Sequence, residues 1–268
     1  MTPKVYIPYL VSTLPTTGAE QPPPPFQWAG DVHAISFPVP TDRATAPAEV
    51  LKMNWYDWGR SNNVRRPDPY YLNMVFRYRP GEPRATFRDE RRPLLLFNEP
   101  EYSLQAGMTP SGVADGMHIY RDYPGEVFGC GYGYQYFDQF TQAQEIYLER
   151  YGRRPYLDGV HMHVYVSPWA NLEAERPLLR RWREWAGARP IIVSEYGWMP
   201  YTSADPAWLR DRVPELVALI QEELDPWRMF WFSWRMADSS QDVPGVSWQM
   251  TNAADGPIGQ GWRSVVGV

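Results

Sequence analysis

Cysteine is almost absent from this sequence: Cys130 is the only cysteine among 268 residues, and there are only four histidines. A lone cysteine cannot form an intrachain disulfide, and the cysteine and histidines do not have the spacing of a structural zinc site. Long lysine or arginine runs are missing too, since 26 basic residues stand against 31 acidic ones and the net charge is −5. We therefore expect no nucleic-acid partner, because phosphate binding requires a basic surface.

Long apolar runs are also missing. Residues 1–18, MTPKVYIPYLVSTLPTTG, contain one lysine and an apolar stretch that is broken by proline. This pattern predicts neither a secretory signal nor a membrane span. The compartment stays open, because a signal removed during maturation would leave no trace, and an extracellular location would then follow. We predict a monomer with no membrane partner.

Aromatic residues, by contrast, are abundant: 13 Trp, 18 Tyr and 10 Phe make up 15% of the chain. Aromatic side chains carry much of the buried area in any domain. Flat rings with a polar edge also stack well on the apolar faces of sugars. The composition therefore fits two interpretations, core packing and carbohydrate binding.

The length fits one α/β barrel, and we predict a single domain over residues 1–268. Residues 19–30, AEQPPPPFQWAG, are the one low-complexity stretch. Their proline run favours an extended conformation, and the preceding residues are too few for a domain of their own. We interpret this stretch as a surface segment of the main fold.

Short apolar runs alternate with amphipathic helical patterns from residue 50 onward. This alternation is typical of a parallel sheet covered by helices. Together with a first strand in KVYIPYLVS or VHAISFPV, the runs predict an α/β fold, a compact (β/α)8 TIM barrel. Several connections are too rich in proline and asparagine for a full helix, so some helices should be short or missing. The seven runs are VLKMNWYDW (50–58), YYLNMVFRY (70–78), PLLLFNEP (93–100), EVFGCGYG (126–133), LDGVHMHVYV (157–166), PIIVSEYGW (190–198) and RMFWFSW (228–234).

Helix boundaries are marked by residues with known end preferences. Thr109 and Asp205 each precede a proline and are predicted to cap the start of a helix. Gly152 and Gly187 are predicted to follow the ends of two others. Pro214 should kink the last helix or mark a second start.

Two glutamates stand at the ends of predicted strands. Glu99 follows LLLFN and is itself followed by Pro100, which cannot extend a strand. Glu195 closes IIVSE, and Gly197 then permits a turn. Either glutamate alone is equally explained as a solvated loop residue or an arginine partner. As a pair at the carboxyl ends of barrel strands, where active sites form, they indicate cleavage of glycosidic bonds by two carboxyl groups.

These residues carry a resemblance to a known group of enzymes. Asn98-Glu99-Pro100 and Ser194-Glu195-Tyr196-Gly197 resemble the acid/base and nucleophile motifs of clan A retaining glycoside hydrolases. Within that clan, FNEPEYSLQAGMTP, HMHVY and IIVSEYGW are most similar to glycoside hydrolase family 128, an endo-β-1,3-glucanase-like group. The similarity covers roughly residues 50–262, including the closing DGPIGQGW. The first 50 residues and the SWRMADSSQD loop match nothing in the family pattern.

The resemblance implies a role for several residues. Glu99 would be the general acid/base and Glu195 the nucleophile. Asn98 would bind the 2-hydroxyl of the sugar at the cleavage point, and Trp234 would form the floor of the central subsite. Neither a metal ion nor an organic cofactor is implied.

Further binding residues are predicted from position along the strands. His161, His163 and Tyr165 alternate with apolar residues, so all three should point to one face. Tyr165 would support Glu195, and His163 would bind substrate or be a hydrogen-bonded core residue. Four tryptophans lie at or just beyond strand ends and are candidates for sugar stacking or for core packing: Trp55, Trp58, Trp169 and Trp198.

The sequence predicts a retaining endo-glycosidase that cleaves β-linked glucan, with β-1,3-glucan preferred and a polysaccharide or oligosaccharide as its partner. Other clan A activities (β-mannanase, xylanase or xylosidase) use the same carboxylates and remain alternatives. A non-catalytic carbohydrate-binding barrel is another, although binding alone would not need both glutamates. A metal-dependent hydrolase that uses His161 and His163 as ligands is the weakest of these hypotheses.

Overall fold

The computed structural model describes most of the chain from residue 69 onward and shorter pieces before it. Two of the predicted site residues, Trp58 and Trp234, lie outside the described residues, as do the candidate strand KVYIPYLVS and most of the proline-rich stretch. The described ranges are 26–29, 32–36, 48, 52–56, 69–199, 205–232 and 259–267.

Eight parallel strands form a single sheet in the described part of the chain. The first of them lies in VHAISFPV, so this is the segment that provides the first strand. All seven apolar runs contain a strand, as predicted. The strands are β1 (His33–Ser36), β2 (Trp55–Tyr56), β3 (Asn73–Val75), β4 (Leu94–Leu96), β5 (Val127–Gly133), β6 (Gly159–Val166), β7 (Ile191–Trp198) and β8 (Arg228–Trp231).

The sheet closes on itself. Its order is β2-β1-β8-β7-β6-β5-β4-β3, which leaves β2 and β3 at the two edges. These edges are joined by a parallel bridge between Trp55 and Tyr71. The Leu72 N–H donates to the Trp55 carbonyl (2.8 Å) and the Trp55 N–H to the Tyr70 carbonyl (3.0 Å). The predicted α/β barrel is therefore confirmed.

Helices cover the outside of the barrel from β4 onward. The Thr109 side chain accepts from the Gly112 N–H (3.1 Å), and the Asp205 side chain accepts from the Ala207 N–H (3.0 Å), so both predicted caps are confirmed. Gly152 and Gly187 follow the second and third helices with φ of 69° and 60°, which glycine adopts easily. The helices are α1 (Pro110–Ile119), α2 (Phe137–Tyr151), α3 (Leu172–Ala186), α4 (Pro206–Leu224) and α5 (Gly259–Val266).

α4 and the connection between β3 and β4 each test a prediction made for the helices. α4 runs continuously through Pro214, so the second start that we considered does not occur. The connection between β3 and β4 contains no helix, in line with the expectation that some helices are missing. Within the described residues, no helix is both long and apolar enough to cross a bilayer.

The strand residues divide between two apolar layers. One cluster takes side chains from nearly every strand and therefore fills the barrel interior, whereas the larger cluster lies between strands and helices. Val160, Met162 and Val164 of β6 belong to the outer layer. The alternating residues of β6 must then point inward, as predicted. The interior cluster consists of Ala34, Tyr56, Leu72, Met74, Leu95, Phe128, Ile192 and Phe230.

Candidate active site

Glu99 stands on a tightly bent segment that follows β4. Phe97 and Glu99 have φ of 58° and 43°, in the left-handed region that residues other than glycine rarely adopt. Neighbouring strands hold this backbone in place: the Phe97 N–H donates to the Val75 carbonyl (2.8 Å) and the Glu99 N–H to the Gly131 carbonyl (2.9 Å). Such conformations persist where the surroundings fix them, and they cluster at functional sites. The Glu99 side chain is 13% exposed at the carboxyl end of the barrel.

Asn98 lies beside Glu99 and is 3% exposed. Its side-chain nitrogen donates to the Gln105 side-chain oxygen over 3.3 Å. The Asn98 backbone forms a parallel bridge with Gly131 of β5. Its predicted bond to a sugar hydroxyl stays a prediction.

Glu195 reaches the barrel interior because β7 contains a bulge. Met162 pairs with Val193, but the next residue of β6, His163, pairs with Glu195, which leaves Ser194 as an extra residue. Without the extra residue, Glu195 would point to the same outer face as Val193. The prediction that the strand closes at Glu195 is wrong, since β7 continues to Trp198.

Three side chains meet where these segments approach each other. The Nδ1 atom of His163 lies 3.2 Å from Oε1 of Glu99 and 3.4 Å from Oε2 of Glu195. One ligand-capable atom from each of the three residues lies within 4.8 Å of the others. The structure thus brings the two predicted catalytic glutamates together, and the same trio has the atoms that could hold a metal ion.

Two tyrosines surround the Glu195 carboxylate, which is 4% exposed. The Tyr165 hydroxyl donates to Oε2 over 2.8 Å. The Tyr56 hydroxyl lies 3.2 Å from Oε1 and 2.6 Å from the Ser194 carbonyl. Burial, followed by the charge of Glu195, raises the pKa of both phenols well above the ordinary value. Both phenols therefore keep their protons. The hydrogen bond that the Tyr165 hydroxyl donates to Oε2 favours an ionised Glu195.

His163 is completely buried beneath the two carboxylates. Burial lowers the pKa of His163, but the Glu195 charge and the Glu99 hydrogen bond outweigh it, and the net shift is upward. A protonated imidazole in this place offsets the repulsion between the carboxylates. This position fits the predicted role of a hydrogen-bonded core residue, and the predicted contact of His163 with substrate stays a prediction. Gly131 leaves space for both histidine rings, since a Cβ there would lie 2.6 Å from Cε1 of His161 and 3.1 Å from Nε2 of His163.

His161 lies one layer deeper and is fully engaged. Its Nε2 lies 2.7 Å from the Leu96 carbonyl, and its Nδ1 lies 2.8 Å from the Ser194 hydroxyl. A carbonyl only accepts, so Nε2 carries the proton and Nδ1 accepts from the hydroxyl. Burial, with the charge of His163, lowers the pKa of His161 to about 3. Because both ring nitrogens are used, a metal site built on the His161 and His163 pair is not supported.

Two of the predicted tryptophan platforms are wrong. Trp55 is fully buried and packs on the Tyr71 ring with centroids 4.7 Å apart, in the layer between strands and helices. Trp198 is fully buried under α4, where its Nε1–H donates to the Leu209 carbonyl over 3.2 Å. Neither ring has a face that a sugar could reach. Both occupy outward-facing positions of their strands, whereas Tyr56, which we did not predict, takes the inward one.

Trp169 remains a candidate platform. It is 55% exposed on the loop that follows β6. A second exposed tryptophan, Trp208 (40%), lies in the first turn of α4 and was missed from the sequence. Arg212 links the two segments: its guanidinium donates to the Pro168 carbonyl (2.6 Å) and lies 4.9 Å from the Trp208 ring centroid. The position of Trp208 just after the Asp205-Pro206 helix start could have indicated it.

The chain matches no protein-family model and no curated protein sequence. Its fold matches solved structures of β-1,3-glucanases of glycoside hydrolase family 128. A subgroup I endo-β-1,3-glucanase variant from Amycolatopsis mediterranei, in complex with laminaripentaose, has a TM-score of 0.62 and 18% identity over 88% of this chain and 99% of that chain. A subgroup II endo-β-1,3-glucanase from Sorangium cellulosum has a TM-score of 0.61 and 17% identity over 87% and 98%.

A third similar structure is a subgroup III enzyme from Blastomyces gilchristii, described as a curdlan-specific exo-β-1,3-glucanase in complex with glucose. Its TM-score is 0.55, with 14% identity over 87% of this chain and 97% of that chain. These likenesses establish that the barrel has the fold of these enzymes, in agreement with the similarity that the sequence motifs indicate.

Proposed function

We propose that this protein is a retaining glycoside hydrolase that cleaves internal bonds of β-1,3-glucan, with Glu99 as general acid/base and Glu195 as nucleophile. The observation that carries the proposal is the approach of the two carboxyl groups, since one oxygen of each lies within 4.8 Å of the other and of one ring nitrogen of His163. Retaining enzymes hold their two carboxyl groups about 5 to 5.5 Å apart, whereas inverting enzymes hold them about 6.5 to 9.5 Å apart. The shorter separation supports direct attack on the sugar.

In the first step, an ionised Glu195 oxygen attacks the anomeric carbon. The bond from that carbon to the leaving sugar oxygen breaks, and Glu99 gives its proton to this oxygen. The product is a glycosyl ester on Glu195. Tyr165 and Tyr56 hold Glu195 through their hydroxyl groups, so the attacking carboxylate is fixed before substrate arrives.

In the second step, the ionised Glu99 removes a proton from a water molecule that attacks the same carbon. The ester bond breaks and Glu195 returns to its carboxylate form. Two inversions at one carbon give net retention. His163 contacts both carboxylates, and its positive charge limits the change in electrostatic energy as the proton leaves and returns to Glu99.

The choice of β-1,3-glucan rests on the relatives. The Amycolatopsis structure contains laminaripentaose, and its fold is shared over most of both chains. Exposed Trp169, on the loop that follows β6 at the carboxyl end of that strand, supplies an aromatic face that suits a sugar ring. The exo-acting relative shows that the same fold also supports release from chain ends, so product length has to be measured.

A panel of polysaccharides tests the substrate class. We expect release of oligomers of several lengths from soluble β-1,3-glucan, and no release from β-mannan or xylan, measured by chromatography of the products. Oligomers from mannan or xylan alone would contradict the β-1,3-glucan assignment while leaving the two-carboxylate mechanism intact. Glucose as the sole early product would indicate exo action.

The anomeric form of the first product tests the mechanism separately. We expect proton NMR of a fresh reaction to show the β-anomer first, with the α-anomer appearing only by mutarotation. The short carboxyl separation is the reason, because it leaves no room for a water molecule between Glu195 and the sugar. An α-anomer that appears first would contradict the nucleophilic role of Glu195.

A further inference from the structure

A third carboxyl group, that of Glu101, lies at the same end of the barrel. Its Oε1 accepts a hydrogen bond from the Gly133 N–H over 2.6 Å. Gly133 is the last residue of β5, and a Cβ there would lie 3.1 Å from the same oxygen. Glycine thus leaves room for a contact that joins the segment after β4 to the end of β5.

The other carboxyl oxygen of Glu101 is placed differently. Oε2 is buried and has no hydrogen-bond partner among the residues that the structure describes. An ionised carboxyl group with one such oxygen is strongly disfavoured, whereas a neutral acid tolerates it better. Burial accordingly raises the pKa of Glu101 from 4.5 to about 7, although the Gly133 N–H acts in the opposite direction.

The electrostatic surroundings add to this preference. Ionised Glu101 would stand beside Glu99, whose charge also favours the neutral form. Among the described titratable groups that interact with Glu101, His163 is the one that can carry a positive charge. These groups are Glu99 after β4, Tyr102 on the same segment, Cys130 and Tyr132 on β5, and His163 on β6.

We propose that Glu101 is a positioning residue which, in its neutral form, fastens the segment carrying Asn98 and Glu99 to the end of β5. The bent backbone at Glu99 needs such support, because its φ of 43° is unfavourable by itself. Ionisation of Glu101 destabilises the fastened state, because the buried position favours the neutral carboxyl group. The consequence for catalysis rests on the proposed function, whereas the fastening itself does not.

The sign of the pH effect follows from linkage. The folded protein holds a proton on Glu101 up to about pH 7, while the unfolded chain releases it near pH 4.5. The free energy of unfolding is therefore highest below pH 4.5 and falls gradually as the pH rises to about 7, because ionisation of the buried carboxyl group is unfavourable. A group that cannot ionise would not show this loss.

Glu101→Gln provides the test, because the amide oxygen can still accept from Gly133 but the side chain cannot ionise. We expect the Tm of the variant minus the Tm of the wild type to increase by about 3 °C or more as the pH rises from 4.5 to about 7. This readout requires no enzymatic activity, so it decides the fastening even if the glucanase proposal fails. A temperature difference that does not change with pH would overturn the proposal.

Catalysis gives the second readout. We expect the ratio of kcat for Glu101→Gln to kcat for the wild type to increase about threefold or more as the pH rises over the same range. Glu101→Ala loses the hydrogen-bond acceptor, and we expect its kcat at acidic pH to be about tenfold lower than that of Glu101→Gln. Glu126→Gln is the matched control. This half-buried glutamate also has a pKa raised by burial, but it directly precedes the first residue of β5, at the end of the strand away from Gly133. Its kcat ratio should not change with pH. An equal change in the Glu126 variant, or none in the Glu101 variant, would overturn the proposal.

Discussion

Replacing Glu195 with glutamine should reduce kcat on β-1,3-glucan by about four orders of magnitude or more, because an amide cannot form the glycosyl ester. Glutamine has nearly the shape of glutamate, and Glu195 is only 4% exposed. Binding of a non-hydrolysed oligosaccharide should therefore stay within about threefold of the wild type. Steady-state kinetics and isothermal titration calorimetry measure the two quantities separately.

The stability of this variant provides an internal check. Glutamine keeps an oxygen that can accept from Tyr165 but loses the charge that faces His163, so the Tm of this variant should fall. Glu223→Gln is the matched control, since Glu223 is also buried but is paired with Arg176 and Arg180. That variant should lose stability and keep kcat. A Glu195 variant with more than about one-tenth of wild-type kcat would contradict the nucleophile assignment.

The strands that carry the two glutamates could be predicted from the sequence because each strand has a local signal. Pro100 prevents β4 from extending past Glu99, and parallel barrel strands all end at the same face. The apolar run before Glu195 identifies β7 equally well. Helix starts at Thr109 and Asp205 were predictable for the same reason, since a cap is recognised within a few residues.

The choice between Trp55 and Tyr56 was not predictable in this way. Adjacent strand residues face opposite sides of the sheet, so the register of the strand decides which of the two points into the barrel. WYDW contains aromatic residues that face both sides of the strand, and the high tryptophan content of the sequence favoured Trp55 as the binding residue. Tyr56 is the residue that faces the barrel interior, where its hydroxyl contacts the Ser194 carbonyl and Glu195.

The bulge at Ser194 is a second feature that alternation conceals. A strict period of two would place Ser194 and Glu195 on opposite faces, yet both contact interior groups: Ser194 meets His161, and Glu195 meets His163. The extra residue is set by pairing with β6, which is a tertiary interaction. Periodicity within one strand therefore predicts the strand and not the direction of each of its side chains.

Replacing Glu99 with glutamine should produce a different pattern of loss. Hydrolysis of glucan should fall by about 10²- to 10⁴-fold, because the leaving sugar oxygen needs a proton. A dinitrophenyl β-glycoside of a β-1,3-linked disaccharide has a leaving group that needs none, so glycosylation of Glu195 should remain fast. Deglycosylation still lacks its base, and the glycosyl-enzyme should accumulate after an initial burst of released phenol.

Added azide separates the roles of the two glutamates. Azide attacks without a general base, so it should restore turnover of the activated glycoside by the Glu99→Gln variant. The product should be a β-glycosyl azide, because the sugar was first inverted onto Glu195 and is inverted again. With Glu195→Ala, azide can only replace the missing nucleophile directly and should give the α-glycosyl azide. If the two variants gave these products in the reverse assignment, Glu99 would be the nucleophile and Glu195 the acid, and the hydrogen bond from Tyr165 would then support the acid/base instead.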